Sequence, residues 1–221
     1  MMSSRKVVEL FYDVVSPYSW LGFEVCFLNR LILHTAFPPP PTLGNKPPGL
    51  VPNKFLYMTK DLDLLAKYCG VPLQPPSDVF EAMFQKGTLS AMRFVTAVQQ
   101  QEKGGDKQVE QVSRELWRRI WSEDKDITEP ASLSEAAKRA GLTDGEIQEV
   151  LKLSTSQEIK DKLKNTTEAA LKYGAFGFPL LVCHIDGTPQ MFFGSDRFEL
   201  MAHCIGEKWL GPNPDNSAAR L

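Results

Sequence analysis

The chain has 221 residues, of which 43% are hydrophobic and 24% charged, the balance of an ordinary globular protein. Its 25 Lys and Arg residues against 27 Asp and Glu residues give a formal net charge of -2. This charge offers no electrostatic basis for binding nucleic acid or an anionic membrane surface. The longest apolar stretches are interrupted by Gly and Pro, so no membrane span is expected. Small-molecule chemistry and protein partners remain as function classes.

Four cysteines, Cys26, Cys69, Cys183 and Cys204, lie far apart in the chain. They form no CxxC pair, and no His stands at the spacing of a metal site. We therefore expect reduced thiols, no disulfide framework and no bound metal.

The first elements in chain order are a strand and a helix. Residues 7–14 (VVELFYDV) are rich in β-branched and aromatic side chains and predict a buried strand. Pro17 suits the first turn of a helix, and dense apolar positions follow it. Residues 31–37 predict a second strand, which four prolines, Pro38 to Pro41, end abruptly.

From about Leu50 to Tyr173 the pattern is helical. Three capping boxes, each a hydroxyl residue three positions before a Glu, predict helix starts. They are Ser132 with Glu135, Thr143 with Glu146, and Thr155 with Glu158.

Strands return near the end of the chain. Residues 178–185 and 189–193 flank the turn signal Asp186-Gly187 and predict an antiparallel hairpin. A helix over residues 198–206 follows, with Ser195 or Asp196 placed to cap it.

The order of these elements predicts an α/β protein with a thioredoxin-like domain that carries a large all-helical insertion. Without the helical block, the chain reads β-α-β followed by β-β-α. We assign residues 1–50 and 174–221 to a discontinuous thioredoxin-like domain and residues 51–173 to the helical insertion.

The junction between the first strand and helix is the first candidate site. Ser16 and Ser19 stand where a thioredoxin-like enzyme has the two cysteines of CxxC. A hydroxyl cannot exchange disulfides, but it can donate a hydrogen bond to a thiolate brought by a substrate. Unpaired amides at the helix start also favour negative charge. The alternative interpretation is that Ser16 only caps the helix.

Two further segments predict a binding site for a thiol peptide. Phe178-Pro179 stands where a thioredoxin-like fold has its cis-proline, beside backbone that can pair with an extended peptide. Gly194-Ser195-Asp196 begins a second helix, where amides suit a carboxylate and the Asp suits an ammonium group. These are the two charged ends of a γ-glutamyl group.

Six segments carry a resemblance to a known family. They are VELFYDVVSPYSWLG (8–22), GNKPPGL (44–50), LSAMRFVTAV (89–98), DITEP (126–130), TTEAALKYGAFGFP (166–179) and FGSDRFELMAHCIGEKW (193–209). On these the chain resembles the kappa class of glutathione S-transferases. This class is related to the DsbA-type disulfide oxidoreductases and to 2-hydroxychromene-2-carboxylate isomerase. The resemblance is weakest between Cys26 and Leu43, where the chain is shorter than the family pattern.

The resemblance implies which residues act. Ser16 would be the catalytic hydroxyl. The other glutathione-binding residues would be Pro17, Tyr18, Asn45, Phe178, Pro179, Ser195 and Asp196. Glutathione would be a co-substrate, with no further cofactor.

The implied reaction is conjugation of glutathione to electrophiles such as aromatic halides, with peroxidase activity on organic hydroperoxides as a further activity. We expect the electrophile in an apolar cleft lined by Trp20 and Tyr57. The alternatives are a glutathione-dependent isomerase and a DsbA-like chaperone or assembly factor without catalysis.

The family also implies a homodimer and an organellar location, mitochondrial or peroxisomal. Ala219-Arg220-Leu221 resembles a peroxisomal tripeptide of the S-K-L type.

Overall fold

A computed structural model describes residues 7–26, 31–36, 46–101 and 105–213. Within these ranges the strands are β1 (Val8–Tyr12), β2 (Leu31–Thr35), β3 (Leu180–Ile185) and β4 (Thr188–Phe193). The helices are α1 (Pro17–Cys26), α2 (Pro52–Cys69), α3 (Leu89–Gln100), α4 (Gly105–Trp121), α5 (Pro130–Arg139), α6 (Asp144–Ser154), α7 (Gln157–Lys172) and α8 (Phe198–Cys204). A 3-10 turn (Pro48–Leu50) precedes α2, and a π-helical turn (Glu81–Gln85) precedes α3.

The four strands form one sheet in the order β2-β1-β3-β4. β1 runs parallel to β2 and antiparallel to β3, and β3 pairs antiparallel with β4. Asp186 and Gly187, between β3 and β4, both have positive φ, as a tight hairpin turn requires. The thioredoxin-like connectivity is confirmed, including the second strand predicted ahead of the prolines.

The two faces of the sheet bury different side chains because successive residues of a strand point to opposite sides. Leu10 of β1 and Leu181 of β3 belong to the main core, which extends through α1, α3 and α4. Phe11 and Leu180 belong to a smaller core on the other face, together with Ala170 of α7. The sheet is therefore covered by helices on both faces.

Glu9 connects the three strands β2, β1 and β3. Its Oε2 lies 2.7 Å from His34 Nε2, and its Oε1 lies 2.6 Å from His184 Nε2. Tyr173 at the end of α7 donates to the same Oε1 at 3.1 Å. α7 lies within the predicted helical insertion and packs onto the sheet here. The proposed division into two domains stays a prediction.

Helix starts follow local hydrogen bonding. The capping box at Thr143 is confirmed, because the Glu146 amide donates to Thr143 Oγ1 at 3.3 Å and the Thr143 amide to Glu146 Oε2 at 2.8 Å. The other two boxes are wrong. α7 is capped one residue later, by Ser156, and α5 begins at Pro130 because proline suits the first helical position.

Thr143→Ala is expected to lower the free energy of unfolding by about 1 kcal/mol, since the Glu146 amide loses its acceptor. Urea unfolding followed by circular dichroism measures this change. Thr155→Ala is the matched control, because Thr155 is not the N-cap of a helix and its hydroxyl donates to the Lys152 carbonyl at 2.8 Å. Equal losses in the two variants would contradict the assigned caps.

No helix among the described residues has both the length and the apolar character needed to cross a bilayer. Cys69, Cys183 and Cys204 are free thiols, the first two of them buried.

Candidate active site

Ser16 lies directly before α1 and caps it. The Ser19 amide donates to Ser16 Oγ at 3.1 Å, which satisfies one of the unpaired amides at the helix start. Because Ser16 Oγ accepts this bond, its own proton is available for a second acceptor. The side chain is half-buried at the positive end of a ten-residue helix. A negatively charged atom beside it would therefore be stabilised.

Two tryptophans of α4 hold the backbone on which Ser16 lies. Trp117 Nε1 donates to the Ser16 carbonyl at 3.1 Å, and Trp121 Nε1 donates to the Val15 carbonyl at 3.0 Å. Both rings are fully buried. The helical block thus fixes the loop that presents the serine, a role that the sequence analysis did not assign to it.

Gly22 of α1 lies where three segments meet. A Cβ at this position would lie 3.3 Å from Pro179 Cγ and 3.7 Å from Ser195 Cβ. The Phe178–Pro179 peptide bond is cis, as predicted. The absence of a side chain at Gly22 therefore lets the prolyl segment and Ser195 lie against the helix that Ser16 begins.

The loop after β4 is joined to the prolyl segment by the Gly194 amide, which donates to the Pro179 carbonyl at 3.0 Å. Gly194 has φ +105°, a conformation that other residues rarely adopt, and a Cβ there would lie 2.7 Å from Asp196 Oδ1, so a side chain would strain the backbone and displace the Asp196 carboxylate. Asp196 is exposed and forms an ion pair with Arg197. This exposed pair presents both signs of charge beside Ser195.

A carboxylate bridges two tyrosines next to these segments. Tyr18 donates to Asp61 Oδ2 at 2.9 Å, and Tyr57 donates to Asp61 Oδ1 at 3.1 Å. Burial, followed by the hydrogen bond to Asp61, raises the pKa of Tyr18 well above its usual value, and the charge of Asp196 adds to the shift. Asp196 also helps Asp61 to raise the pKa of Tyr57. Tyr18, Tyr57, Asp61 and Asp196 therefore form one electrostatic group.

Part of the sequence-predicted set lies together in the fold. Pro179 and Ser195 both lie against Gly22 of α1. Tyr18 lies close enough to Asp196 for its charge to raise the pKa of the tyrosine. Phe178 precedes β3, whose ladder begins at Leu180, so its backbone lies outside the sheet pairing. Asn45 lies outside the described residues, as does Ala219-Arg220-Leu221.

The expectation that Trp20 lines an apolar cleft is wrong. Its ring is 1% exposed, and its Nε1 donates to Glu24 Oε1 at 3.0 Å. Tyr57, the other predicted lining residue, is 66% exposed. Phe176 and Phe193 are also partly exposed, and their rings contact each other with centroids 4.4 Å apart. In the chain, Phe176 lies two residues before Phe178-Pro179, and Phe193 directly precedes Gly194.

Two cavities lined by described residues lie away from Ser16. One lies between α7 and the Glu9 side chain, and another lies between Asp78 and the loop around Asp126. In the described ranges no cluster of three or more His, Cys, Asp or Glu side chains could hold a metal ion.

The sheet order, the cis-proline before the hairpin and the capped helix after β1 define a thioredoxin-fold protein of the DsbA-like kind. The family model for the DSBA-like thioredoxin domain matches residues 7–206, and the chain belongs to this family. Within it, the chain belongs to the kappa family of glutathione S-transferases, and the resemblance inferred from the sequence is confirmed.

Two curated relatives and one solved structure support this placement. The chain is 49% identical over 224 residues to glutathione S-transferase kappa 1 of Homo sapiens, covering 98% of both chains. It is 46% identical over 229 residues to glutathione S-transferase kappa 1 of Rattus norvegicus, covering 100% of both. The structure of a 2-hydroxychromene-2-carboxylate isomerase has a TM-score of 0.65 at 19% identity, covering 90% of this chain and 94% of that one, and shows the shared fold.

Proposed function

We propose that the protein is a glutathione transferase that binds the glutathione thiol at Ser16 and conjugates it to small electrophiles. This proposal depends on the hydrogen bonding of the Ser16 hydroxyl. Its oxygen is occupied by the Ser19 amide, and its proton can be donated at the positive end of α1. No CxxC is present, so the reacting sulfur comes from the substrate.

The remaining segments suit the rest of the tripeptide. We infer that the glutathione backbone pairs with Phe178 ahead of β3, beside Pro179 and Pro17. The γ-glutamyl end, with one carboxylate and one ammonium, fits the charged surface formed by Ser195, Asp196 and Arg197. The adjacent Tyr18 is held in place by Asp61. Asn45 completes the proposed set.

The chemistry begins with ionisation of the thiol. A free thiol has a pKa near 8.5, so only a few per cent is thiolate at neutral pH. A hydrogen bond to a charged group contributes about 1.5–3 kcal/mol and a helix N-terminus about 0.3–1 kcal/mol, which together lower the thiol pKa by roughly one to three units. Ionisation alone accelerates the reaction about tenfold, because the nucleophile can at most become fully ionised. Positioning of the electrophile supplies the rest.

Aromatic halides are the proposed class of electrophile. The thiolate forms a bond to the ring carbon, the halide leaves with the bonding electrons, and the thiol proton goes to solvent. The partly exposed Phe176 and Phe193 rings beside the prolyl segment favour an apolar second substrate.

Organic hydroperoxides are a second proposed substrate class for the same thiolate. The thiolate attacks the terminal peroxide oxygen, the O–O bond breaks, and the alkoxide takes a proton from solvent and leaves as the alcohol. This step leaves glutathione as a sulfenic acid, which condenses with a second glutathione thiol to form the disulfide and release water.

Asp196→Ala is expected to weaken glutathione binding about tenfold or more, because the ammonium of the γ-glutamyl group loses a charge partner. Isothermal titration of the protein with glutathione measures this change. Glu199→Ala, which removes an exposed carboxylate in the first turn of α8, is the control and should bind like the wild type. Equal weakening in both variants would show a general charge effect and contradict the placement of the γ-glutamyl end.

We further propose that the protein is a homodimer and that Ala219-Arg220-Leu221 directs it to peroxisomes, with mitochondria as the other location implied by the family. Both proposals depend on the family and on the tripeptide sequence.

A further inference from the structure

The turn between β1 and α1 contains a buried carboxyl group that the proposed reaction does not use. Asp13 is 1% exposed, and its Oδ1 accepts hydrogen bonds from the Val15 amide at 2.9 Å and the Thr88 hydroxyl at 2.7 Å. Its Oδ2 is buried and has no hydrogen-bond partner among the described residues. A buried carboxylate oxygen without a partner is costly, and protonation removes that charge.

The residue that bears this carboxyl lies in the same turn as Ser16, the proposed catalytic residue. The Ser16 amide donates to the Asp13 carbonyl at 3.1 Å and closes a four-residue turn. Such a turn places the Cα atoms of its first and last residues within about 7 Å. Because Asp13 is buried, a charge on it acts on a group bound at the neighbouring Ser16 through protein rather than through bulk water.

Among the described residues, the side chains that form hydrogen bonds with this turn from neighbouring helices are uncharged. Thr88, the residue before α3, and Met92 in α3 form hydrogen bonds with the turn. The indoles of Trp117 and Trp121 in α4 also donate to backbone carbonyls of the turn. Tyr12, the titratable neighbour on β1, bonds to Ser113 Oγ at 2.7 Å. None of these groups supplies a positive charge to Asp13.

Burial raises the pKa of Asp13 to about 7, against the hydrogen bonds from Val15 and Thr88, which lower it. Asp13 therefore exchanges its proton in the same pH range in which an activated thiol ionises.

We propose that Asp13 is a positioning residue that holds the Ser16 turn and that its ionisation opposes formation of the thiolate at Ser16. The inference rests on the proposed function, because it requires a thiol bound at Ser16. Two negative charges at short distance raise each other's affinity for protons. The thiol and Asp13 then titrate as a coupled pair rather than independently.

The test is a pH titration of the ultraviolet thiolate absorbance of glutathione bound to the wild type and to Asp13→Asn. Asn keeps the shape and the Oδ1 acceptor and cannot ionise. We expect the wild type to titrate in two steps and Asp13→Asn in one, with a thiol pKa lower by about half a unit or more.

Thr88→Val provides a second variant that keeps the carboxyl group. It removes the donor that stabilises ionised Asp13, so the second step of the titration should move to higher pH. Asp126→Asn is the matched control. Asp126 also accepts backbone amides in a loop, from Thr128 and Glu129 at 2.8 Å each, but it lies outside the site. Its curve should equal that of the wild type.

A titration of Asp13→Asn that superimposes on the wild type would overturn the inference and leave the proposed function intact. If Asp13→Asn does not fold, an unmoved second step in Thr88→Val overturns the inference. If the wild type and every variant lack the thiolate signal, the proposed function fails, and the role of Asp13 fails with it.

Discussion

Ser16→Ala is expected to lower the rate of conjugation of chlorodinitrobenzene at neutral pH by about tenfold or more. The variant loses the hydroxyl that donates to the thiolate, so the thiol pKa returns toward about 8.5. The deficit should depend on pH. In the wild type the thiol is ionised at lower pH than in the variant. Above about pH 9 the thiol is ionised in both proteins, so the two rates should converge. Steady-state rates at saturating glutathione across this range measure the effect.

The controls for this variant separate catalysis from helix capping. Ser16→Ala also removes the bond from the Ser19 amide, at a cost of about 1 kcal/mol in stability. Ser156→Ala removes an equivalent cap, the bond from the Ile159 amide to Ser156 Oγ at 3.3 Å at the start of α7. It should lose similar stability and keep full activity. A pH-independent deficit in Ser16→Ala, or an equal deficit in Ser156→Ala, would contradict the assigned role of Ser16.

Gly22→Val is expected to weaken glutathione binding by about tenfold or more and to destabilise the fold by about 1–3 kcal/mol. A Cβ at this position already lies 3.3 Å from Pro179 Cγ, and valine adds two further methyl groups. The prolyl segment or Ser195 must then move away from α1. Isothermal titration with glutathione and urea unfolding measure the two changes.

Gly145→Val is the matched control for this substitution. Gly145 lies in the first turn of α6, and nothing lies within 4 Å of a Cβ placed there. Valine has a slightly higher helix propensity than glycine, so binding and stability should be unchanged or slightly improved. Wild-type glutathione affinity in Gly22→Val would show that the junction of the three segments does not form the site.

Much of the fold could be predicted from the sequence because its signals are local. The hairpin follows from Asp186-Gly187, whose residues both adopt positive φ, and the capping box follows from Thr143 with Glu146. The same local reasoning was wrong at Ser132, where Pro130 begins the helix two residues earlier. A capping box requires its hydroxyl residue to lie directly before the first helical residue, and the spacing of Ser132 and Glu135 does not determine where the helix begins.

The candidate site was predictable only in part, because several of its contacts join distant residues. The bond from Tyr18 to Asp61 spans 43 positions, and the bond from Trp117 to the Ser16 carbonyl spans 101. No local pattern marks Asp61, Trp117 or Gly22 as site residues. The predicted position of Trp20 in a cleft was wrong because helical periodicity does not distinguish a residue that faces a cleft from one buried between helices.

The most direct test of the account is the pKa of the thiol of glutathione bound to the wild-type protein, measured from thiolate absorbance as pH is raised. We predict that the bound thiol is half ionised at a pH roughly one to three units below the pKa of free glutathione. Glutathione that binds with the pKa of the free thiol, or does not bind, would contradict it.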